Sequence, residues 1–420
     1  MLKVAIIGLG NRGRIYAYQL SKNKDARIVA LCEKNKSVLE SKRVAFGLPQ
    51  SAAYSSDKEF FAAGKLADAI IIATQDRDHF GHAMQALEAG YHILLEKPVS
   101  PVYEECETLY HLAKKKDLQV VVCHVLRYAP FYNAIKKVLD SGAIGEIVGI
   151  NQTENIGYWH YSHSYVRGNW RKESETSPSI LAKCCHDLDI IYYFTGKKCV
   201  SLNSNGSRKL FLPQNAPEGS TAYCLDGCAH RADCPFDVRK IYYGVTRYTI
   251  PKMIVNKTLV TGKPHASIKE LKEALKTSPY GRCVYRSDND VMENQVVNMK
   301  LEDGVTATLT MTAFSKDCFR RIHIYGTQGE IFGNDKDGKF RVSVFGGPTK
   351  TVKVGRLTAL LGHLGGDRMI IRDFVDFLEK GIKNPRLSLL ETTLESHKTA
   401  FLAEESRKSG KTVVKEETNN

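Results

Sequence analysis

The segment Val4-Ala5-Ile6-Ile7-Gly8-Leu9-Gly10-Asn11-Arg12-Gly13 constrains this chain more than any other feature. A β-branched run ends in G-x-G-x-x-G and passes at once into a helical pattern, an order that few backbones satisfy. Gly8 allows a tight turn, Gly10 lets the main chain approach a pyrophosphate, and Gly13 permits close packing of helix on sheet. The helix that begins at Asn11 and Arg12 presents its positive end to the phosphates. A second strand ends in Glu33, 20 residues past Gly13. A carboxylate there accepts hydrogen bonds from the adenine ribose and repels a 2'-phosphate, which predicts NAD. Lys34 and Arg12 leave NADP open, and a solvated loop carboxylate is the plain alternative for Glu33.

The same alternation continues to about residue 125. Candidate strands at Lys3-Ile7, Ile28-Cys32, Ala69-Ala73, His92-Leu95 and Gln119-Cys123 are separated by helical patterns such as Arg12-Ser21, His79-Ala89 and Glu104-Lys115. That is the sequence form of a doubly wound parallel sheet, an α/β nucleotide-binding domain over 1–125. Longer strand-like runs then appear at Glu146-Asn151, Val296-Leu301, Thr306-Thr312 and Arg321-Tyr325, broken by helical stretches near 180–195 and 267–276. They predict an α+β domain over 126–410, built on a large, mostly antiparallel sheet. An irregular elaboration rich in Cys, Pro and Tyr fills 208–285. The helical runs Asp367-Lys380 and Thr392-Ser409 close the fold, and 411–420 reads as a disordered tail.

At 420 residues, with 43% hydrophobic and 25% charged side chains, the chain suits two globular domains. The net charge of +14 is spread among interleaved acids, without a basic arm, so an anionic cofactor or substrate is expected and nucleic acid is not. No run approaches the roughly 18 apolar residues that cross a bilayer, and the apolar start is cut short by Gly8 and Gly10. A soluble, cytoplasmic protein is expected. Eleven cysteines, an odd number, read as reduced thiols with metal ligands among them rather than as a disulfide framework.

The third strand runs into Ala73-Thr74-Gln75-Asp76, with His79 following, and the fourth into Leu95-Glu96-Lys97-Pro98. With the glycine motif, with Arg127-Tyr128-Ala129-Pro130, Gly145-Glu146-Ile147, His186 and Asp189, and with Gly326-Thr327-Gln328-Gly329-Glu330, the chain resembles the glucose-fructose oxidoreductase, inositol dehydrogenase and MocA (Gfo/Idh/MocA) family over nearly its whole length. The resemblance implies that Thr74, His79, Glu96 and Lys97 border the cofactor, that Lys97 lies beside nicotinamide and substrate, and that the chain forms a homodimer or homotetramer. The residues argue for Lys97 independently: an ammonium at the end of a parallel strand points into the crevice where such sheets bind ligands.

In that family an Asp usually precedes the catalytic His by four residues; here His186 is preceded at that position by Ala182. Helical spacing puts Lys183, His186 and Asp187 on one face, expected to look into the cleft. His186 is the candidate general base, its unperturbed pKa near 6.5 suiting proton transfer. Lys183 is expected to replace the missing carboxylate or to hold an anionic substrate group; a structural His186 capped by Asp189 is the alternative. The stretch 157–171 holds both tryptophans. From it His160, Tyr165, Trp170 and Arg171, together with Arg127 and Asp189, are expected to meet a carbohydrate-like substrate.

Cys224-x3-Cys228-x5-Cys234-Pro235 and the later Cys283 offer four thiolates for structural zinc or an iron-sulfur cluster. Buried free cysteines are the alternative. The combined expectation is an NAD(P)-dependent oxidoreductase acting on a secondary alcohol of a sugar, polyol or sugar derivative. A bound-NAD glycoside-cleaving enzyme and a catalytically silent NAD sensor are its rivals.

Overall fold

A computed structural model describes residues 1–243, 257–263, 266–355 and 365–414. The first third alternates β1 (Leu2–Ile7), α1 (Asn11–Ser21), β2 (Ala26–Cys32), α2 (Lys36–Ala45), β3 (Ala53–Tyr54), α3 (Asp57–Ala62), β4 (Ala69–Ile72), α4 (His79–Glu88), β5 (His92–Leu95), α5 (Tyr103–Lys115) and β6 (Val120–Val122). The strands pair in the order β3-β2-β1-β4-β5-β6, all parallel. Strand side chains alternate between faces: Val4, Ile6, Ile71, Leu94 and Val121 enter one core, and Ala5, Ile7, Ile70, Ile72, Ile93 and Leu95 the other. Burial on both faces explains why these strands are almost uninterrupted runs of Val, Ile and Leu. Each such side chain contributes about 1.5–3 kcal/mol.

The second domain contains α6 (Pro130–Asp140), β7 (Ile147–Asn155), α7 (Tyr158–Tyr161), α8 (Ser179–Thr195), β8 (Cys199–Ser207), β9 (Asn294–Leu301), β10 (Thr306–Thr312), β11 (Phe319–Gly326), β12 (Gly329–Asn334), β13 (Lys339–Val344), β14 (Lys350–Lys353) and β15 (Val413–Val414). Its nine strands run β14-β13-β12-β11-β7-β10-β9-β8-β15, antiparallel except for the β7–β10 pair. α8 packs against β7 and β10 and is buried along almost its full length.

Three expectations are corrected. The helix Gly366–Lys380 does not pack in the second domain: Ile370, Ile371, Phe374 and Val375 enter the core of the first sheet beside Leu2, Val4 and Ile6. The chain therefore crosses back, and Ser388 bonds β6 twice: its carbonyl accepts from Val122 N–H at 2.8 Å and its hydroxyl donates to the Val122 carbonyl at 2.5 Å. The tail is ordered at its start, where Val413 and Val414 pair with β8; 415–420 lie outside the described residues. The insert, expected to be irregular, keeps a small core of its own: Cys224, Val238, Ile241, Tyr242, Val260, Leu271 and Leu275. Residues 244–256 and 264–265 of that insert lie outside the described residues. Among the described residues no helix is long and apolar enough to cross a membrane.

Candidate active site

The turn after β1 has the geometry that a dinucleotide requires. Gly8 sits at φ +86°, and a Cβ there would stand 2.5 Å from the Ala73 carbonyl oxygen. A Cβ on Gly13 would come within 1.9 Å of the Gly8 oxygen, so helix and turn touch backbone to backbone. At Gly10 a Cβ would meet nothing within 4 Å, which leaves room beside the main chain for a phosphate. α1 starts at Asn11, and its first N–H groups have no carbonyl inside the helix to bond. Glu33 closes the other side, accepting hydrogen bonds from Leu9 N–H at 2.7 Å and Asn35 N–H at 2.9 Å.

Arg12 is placed differently from its expected contact with the cofactor. Its guanidinium bonds Glu96 at 2.7 Å, Asp367 at 2.6 Å and the Tyr16 hydroxyl. Burial opposes the charge, but the neighbouring Tyr16, Asp367 and Glu96 hold it well above the usual range. Glu96 also accepts from Tyr16 Oη at 2.6 Å and from Lys97 N–H at 3.0 Å. Arg12 and Glu96 thus tie the glycine turn, the Lys97 turn and the returning helix into one unit. His79 serves the same region as a strut, donating from Nδ1 to the Pro98 carbonyl at 2.6 Å, with its other ring nitrogen 3.3 Å from the Thr74 carbonyl. Thr74 Oγ1 is 3.1 Å from His82 Nδ1.

Lys97, at the end of β5, donates from Nζ to the Ala182 carbonyl at 2.6 Å. This is the residue at which the expected carboxylate is missing, and its carbonyl is the one that α8 offers to His186 N–H, four residues on. The hydrogen bond therefore ties the Lys97 ammonium, from the turn after β5, to the helical turn that carries His186. His186 is 5% exposed and its ring stands edge-on to His124, 5.6 Å between centroids. His124 is fully buried, both of its ring nitrogens lack a hydrogen-bond partner, and Asp189 Oδ1 lies 3.8 Å away. Burial first, then Arg127 and Lys97, keep His124 well below the usual imidazole range, so it is neutral. On its far side His397 accepts from Val99 N–H at 3.0 Å and donates to the Thr393 carbonyl at 3.2 Å, and burial pushes its pKa down to about 3.

Several candidates for substrate contact are engaged elsewhere. Arg127 and Asp189 form a buried two-pronged pair at 2.6 and 2.7 Å. Burial works against the Arg127 charge, but Asp189 outweighs it and holds the guanidinium above its usual range. Trp170 donates to Asp76, which also accepts from Ser177 at 2.5 Å, so this indole bridges the two domains. Arg171 pairs with Asp288 at 3.0 Å and Glu175 at 3.1 Å near the surface. Tyr165 is buried and stacked on Tyr161, whereas His160 is half-buried beside Trp159. Lys183 and Asp187 turn to the nine-stranded sheet instead of sharing the face of His186. Lys183 lies 3.4 Å from Glu154, and Arg320 hydrogen-bonds Asp187 at 2.8 Å and sits 2.7 Å from Glu154 as an ion pair. Burial pushes the Glu154 carboxyl up despite Arg320 and Lys183.

The sequence reading missed His124, His397, Glu154 and Arg320, and gave Asp76 no role of its own. For Glu154 a signal existed. Ile150, Gln152 and Glu154 alternate on the inward face of β7, all buried, and a carboxylate in that register needs a cation opposite it.

The model for an oxidoreductase family with an NAD-binding Rossmann fold matches residues 2–124, and the model for that family's C-terminal alpha/beta domain matches residues 136–415. The chain belongs to the Gfo/Idh/MocA oxidoreductase family. An uncharacterized oxidoreductase of Synechocystis sp. is 26% identical over 196 residues, 46% of this chain and 52% of that protein. The inositol 2-dehydrogenase of Corynebacterium glutamicum is 27% identical over 206 residues, 48% of this chain and 56% of the relative. The chain spans about half the length of these curated relatives. An Agrobacterium radiobacter oxidoreductase solved with NAD+, L-tartaric acid and magnesium superposes with a TM-score of 0.71 at 17% identity, covering 98% of both chains, which shows the shared fold. In this Gfo/Idh/MocA member the glycine turn, Glu33 and the Glu96-Lys97-Pro98 turn fit a bound dinucleotide.

Proposed function

We propose that this family member is an NAD(H)-dependent dehydrogenase acting on a secondary alcohol of a sugar, polyol or sugar derivative. The observation that carries the reading is the Lys97–Ala182 hydrogen bond, which joins the turn after β5 to the helical turn bearing His186. NAD, held by Gly8, Gly10, Asn11, Gly13 and Glu33, supplies the hydride acceptor when bound. Glu33 beside the ribose favours NAD over NADP. Lys97 would donate a hydrogen bond to the reacting hydroxyl, stabilising the alkoxide character that develops on its oxygen. His186 would take the hydroxyl proton. His124, kept neutral, adds no positive charge next to His186, so the imidazole remains able to accept a proton. His160 and Lys183 are the remaining candidates for contacting substrate hydroxyls or an anionic group. Pairing in a homodimer or homotetramer would cover Val148, Tyr325, Val344 and Phe345, which are exposed on the large sheet.

The test is formation of reduced nicotinamide with NAD and a panel of sugars, polyols and nucleotide sugars. Turnover with one substrate class, lost in Lys97→Ala and His186→Ala while NAD still binds, is expected. Glycoside cleavage without added NAD would replace the dehydrogenase with the bound-cofactor lyase. Tight NAD binding with no turnover on any substrate would point to the sensor.

A further inference from the structure

The insert after β8 contains a cavity whose lining does not include the Lys97 turn. A cavity of about 220 Å³ is lined by Cys224, Cys228, Cys234 and Cys283 together with Arg167 and Tyr285. All four cysteines carry free thiols. Two are brought together by a short antiparallel bridge between Tyr223 and Arg282, in which Cys224 N–H bonds the Gly281 carbonyl at 3.0 Å and Cys283 N–H bonds the Ala222 carbonyl at 2.9 Å. The other two come from the loop that follows Cys224.

We propose that Cys224, Cys228, Cys234 and Cys283 are the thiolate ligands of a thiophilic metal centre, an iron-sulfur cluster or a zinc ion, housed in this cavity. Arg167 is the independent observation. It is 1% exposed; its guanidinium donates to the Arg282 and Phe236 carbonyls and, at 3.5 Å, to Cys224 Sγ, while Nη1 has no hydrogen-bond partner. A buried cation held by carbonyls and one sulfur is costly on its own. Four thiolates around a divalent ion or a cluster carry net negative charge and would offset it. Among the described residues no three His, Cys, Asp or Glu side chains are arranged to hold a metal ion. The thiols are therefore not preassembled around an ion, and loading must draw them together. Arg167 also ends the π-helical turn Ser162–Arg167 that carries Tyr165.

The experiment is metal and acid-labile sulfide analysis, with native mass spectrometry, of the full chain purified without added metal, once in air and once without oxygen. Iron and sulfide in matching amounts with visible thiolate-to-iron absorption identify a cluster; stoichiometric zinc without sulfide identifies the ion. Either supports the site. The mass of the bare chain in both preparations overturns it. Cys224→Ser and Cys283→Ser should each lose the metal, and Cys318→Ser, whose residue is exposed and outside the cavity, should keep it; full metal retention in the first two also overturns the assignment. Should those variants fail to fold, alkylation of the unaltered protein decides. The four thiols should react only after chelation, and reaction at the rate of Cys318 before chelation overturns the proposal. None of these readouts depends on dehydrogenase activity.

Discussion

Along α8, the residues facing the first domain and those facing the nine-stranded sheet are similarly buried but differently partnered. Toward the first domain, one ion pair, Arg127–Asp189, stands beside two neutral imidazoles, His124 and His397, and His186 packs on the first of them. Toward the sheet, Lys183 and Arg320 meet Glu154 and Asp187, with the Asp335 carboxylate accepting from Arg320 N–H at 2.9 Å. On the first side the charges, Lys97 and the Arg127–Asp189 pair, border imidazoles that stay neutral, as the proton transfer proposed for His186 would need. The second saturates each charge with an opposite one, which fixes the helix on the sheet but leaves little chemistry to spare. One helix can therefore separate proton transfer from anchoring by a rotation of a single residue.

The comparison is sharpened most by removing the groups assigned to chemistry. Lys97→Ala and His186→Ala should lower kcat by about 10²–10⁴-fold each, the range of a lost general acid-base group, with thermal stability little changed. Steady-state kinetics beside a melting curve checks both parts. Next in size is the ion pair. Asp189→Asn leaves the Arg127 guanidinium buried without its carboxylate and should destabilise the fold by about 3–5 kcal/mol, read by denaturant unfolding. Replacing both partners together, Arg127→Met with Asp189→Leu, should recover much of that loss, because two charges then need no burial. If the double variant were as unstable as the single one, the pair would be doing more than neutralising itself.

The first side of α8 was partly legible in the sequence and the second was not, for a physical reason. Lys97 and His186 lie in motifs whose spacing follows from local geometry, a strand end and a helical turn, so their neighbourhood could be anticipated. The parallel sheet was equally legible, since strands buried on both faces must be continuous apolar runs. The partners of Lys183 and Asp187, Glu154 on β7 and Arg320 on β11, are distant in the chain, and their identity depends on strand register. The rotation of α8 is set by where Cys184, Leu188 and Ile191 pack, which helical periodicity narrows to a stripe but not to the residue. The return of Gly366–Lys380 to the first domain was hidden likewise, because its amphipathic pattern states that it has an apolar face and not which core receives it. The Arg127–Asp189 pair was visible only as two polar residues, since nothing local says that they satisfy each other.

A smaller effect tests whether the first side is neutral. His397 is held at about 3, against roughly 6.5 in the unfolded chain. A depressed folded value means that the unfolded state binds the proton first. The stability is fully present above pH 6.5 and falls as pH drops toward 3. His124 lies against His397, and Asp189 and Lys97 are the nearest charges acting on it. His124 shifts in the same direction, so the two add. The unfolding free energy should fall by a few kcal/mol between pH 6.5 and 4, and His397→Gln, which can still accept from Val99 N–H, should flatten that slope. An unchanged slope would mean that the cluster already takes up a proton when folded.

The weakest expected effect bears hardest on the comparison. Lys183 is partnered by Glu154, but Glu154 also has Arg320 at 2.7 Å, so removing the lysine charge does not strand the carboxylate. Burial already raises Glu154, and without Lys183 it is raised further and can take a proton rather than remain a buried unpaired charge. Lys183→Met keeps the stem and, with Arg320 still on Glu154, should cost less than the about 3–5 kcal/mol of a broken buried pair, leaving kcat within a few fold. Its effect on KM then divides the remaining possibilities. If KM is unchanged, the lysine is an anchor of α8 and nothing more. A KM raised tenfold or more for an anionic substrate, with kcat preserved, would mean that its ammonium leaves Glu154 to hold that anion. A kcat loss as large as that of His186→Ala would erase the division between the two sides of α8, because proton transfer would then draw on both.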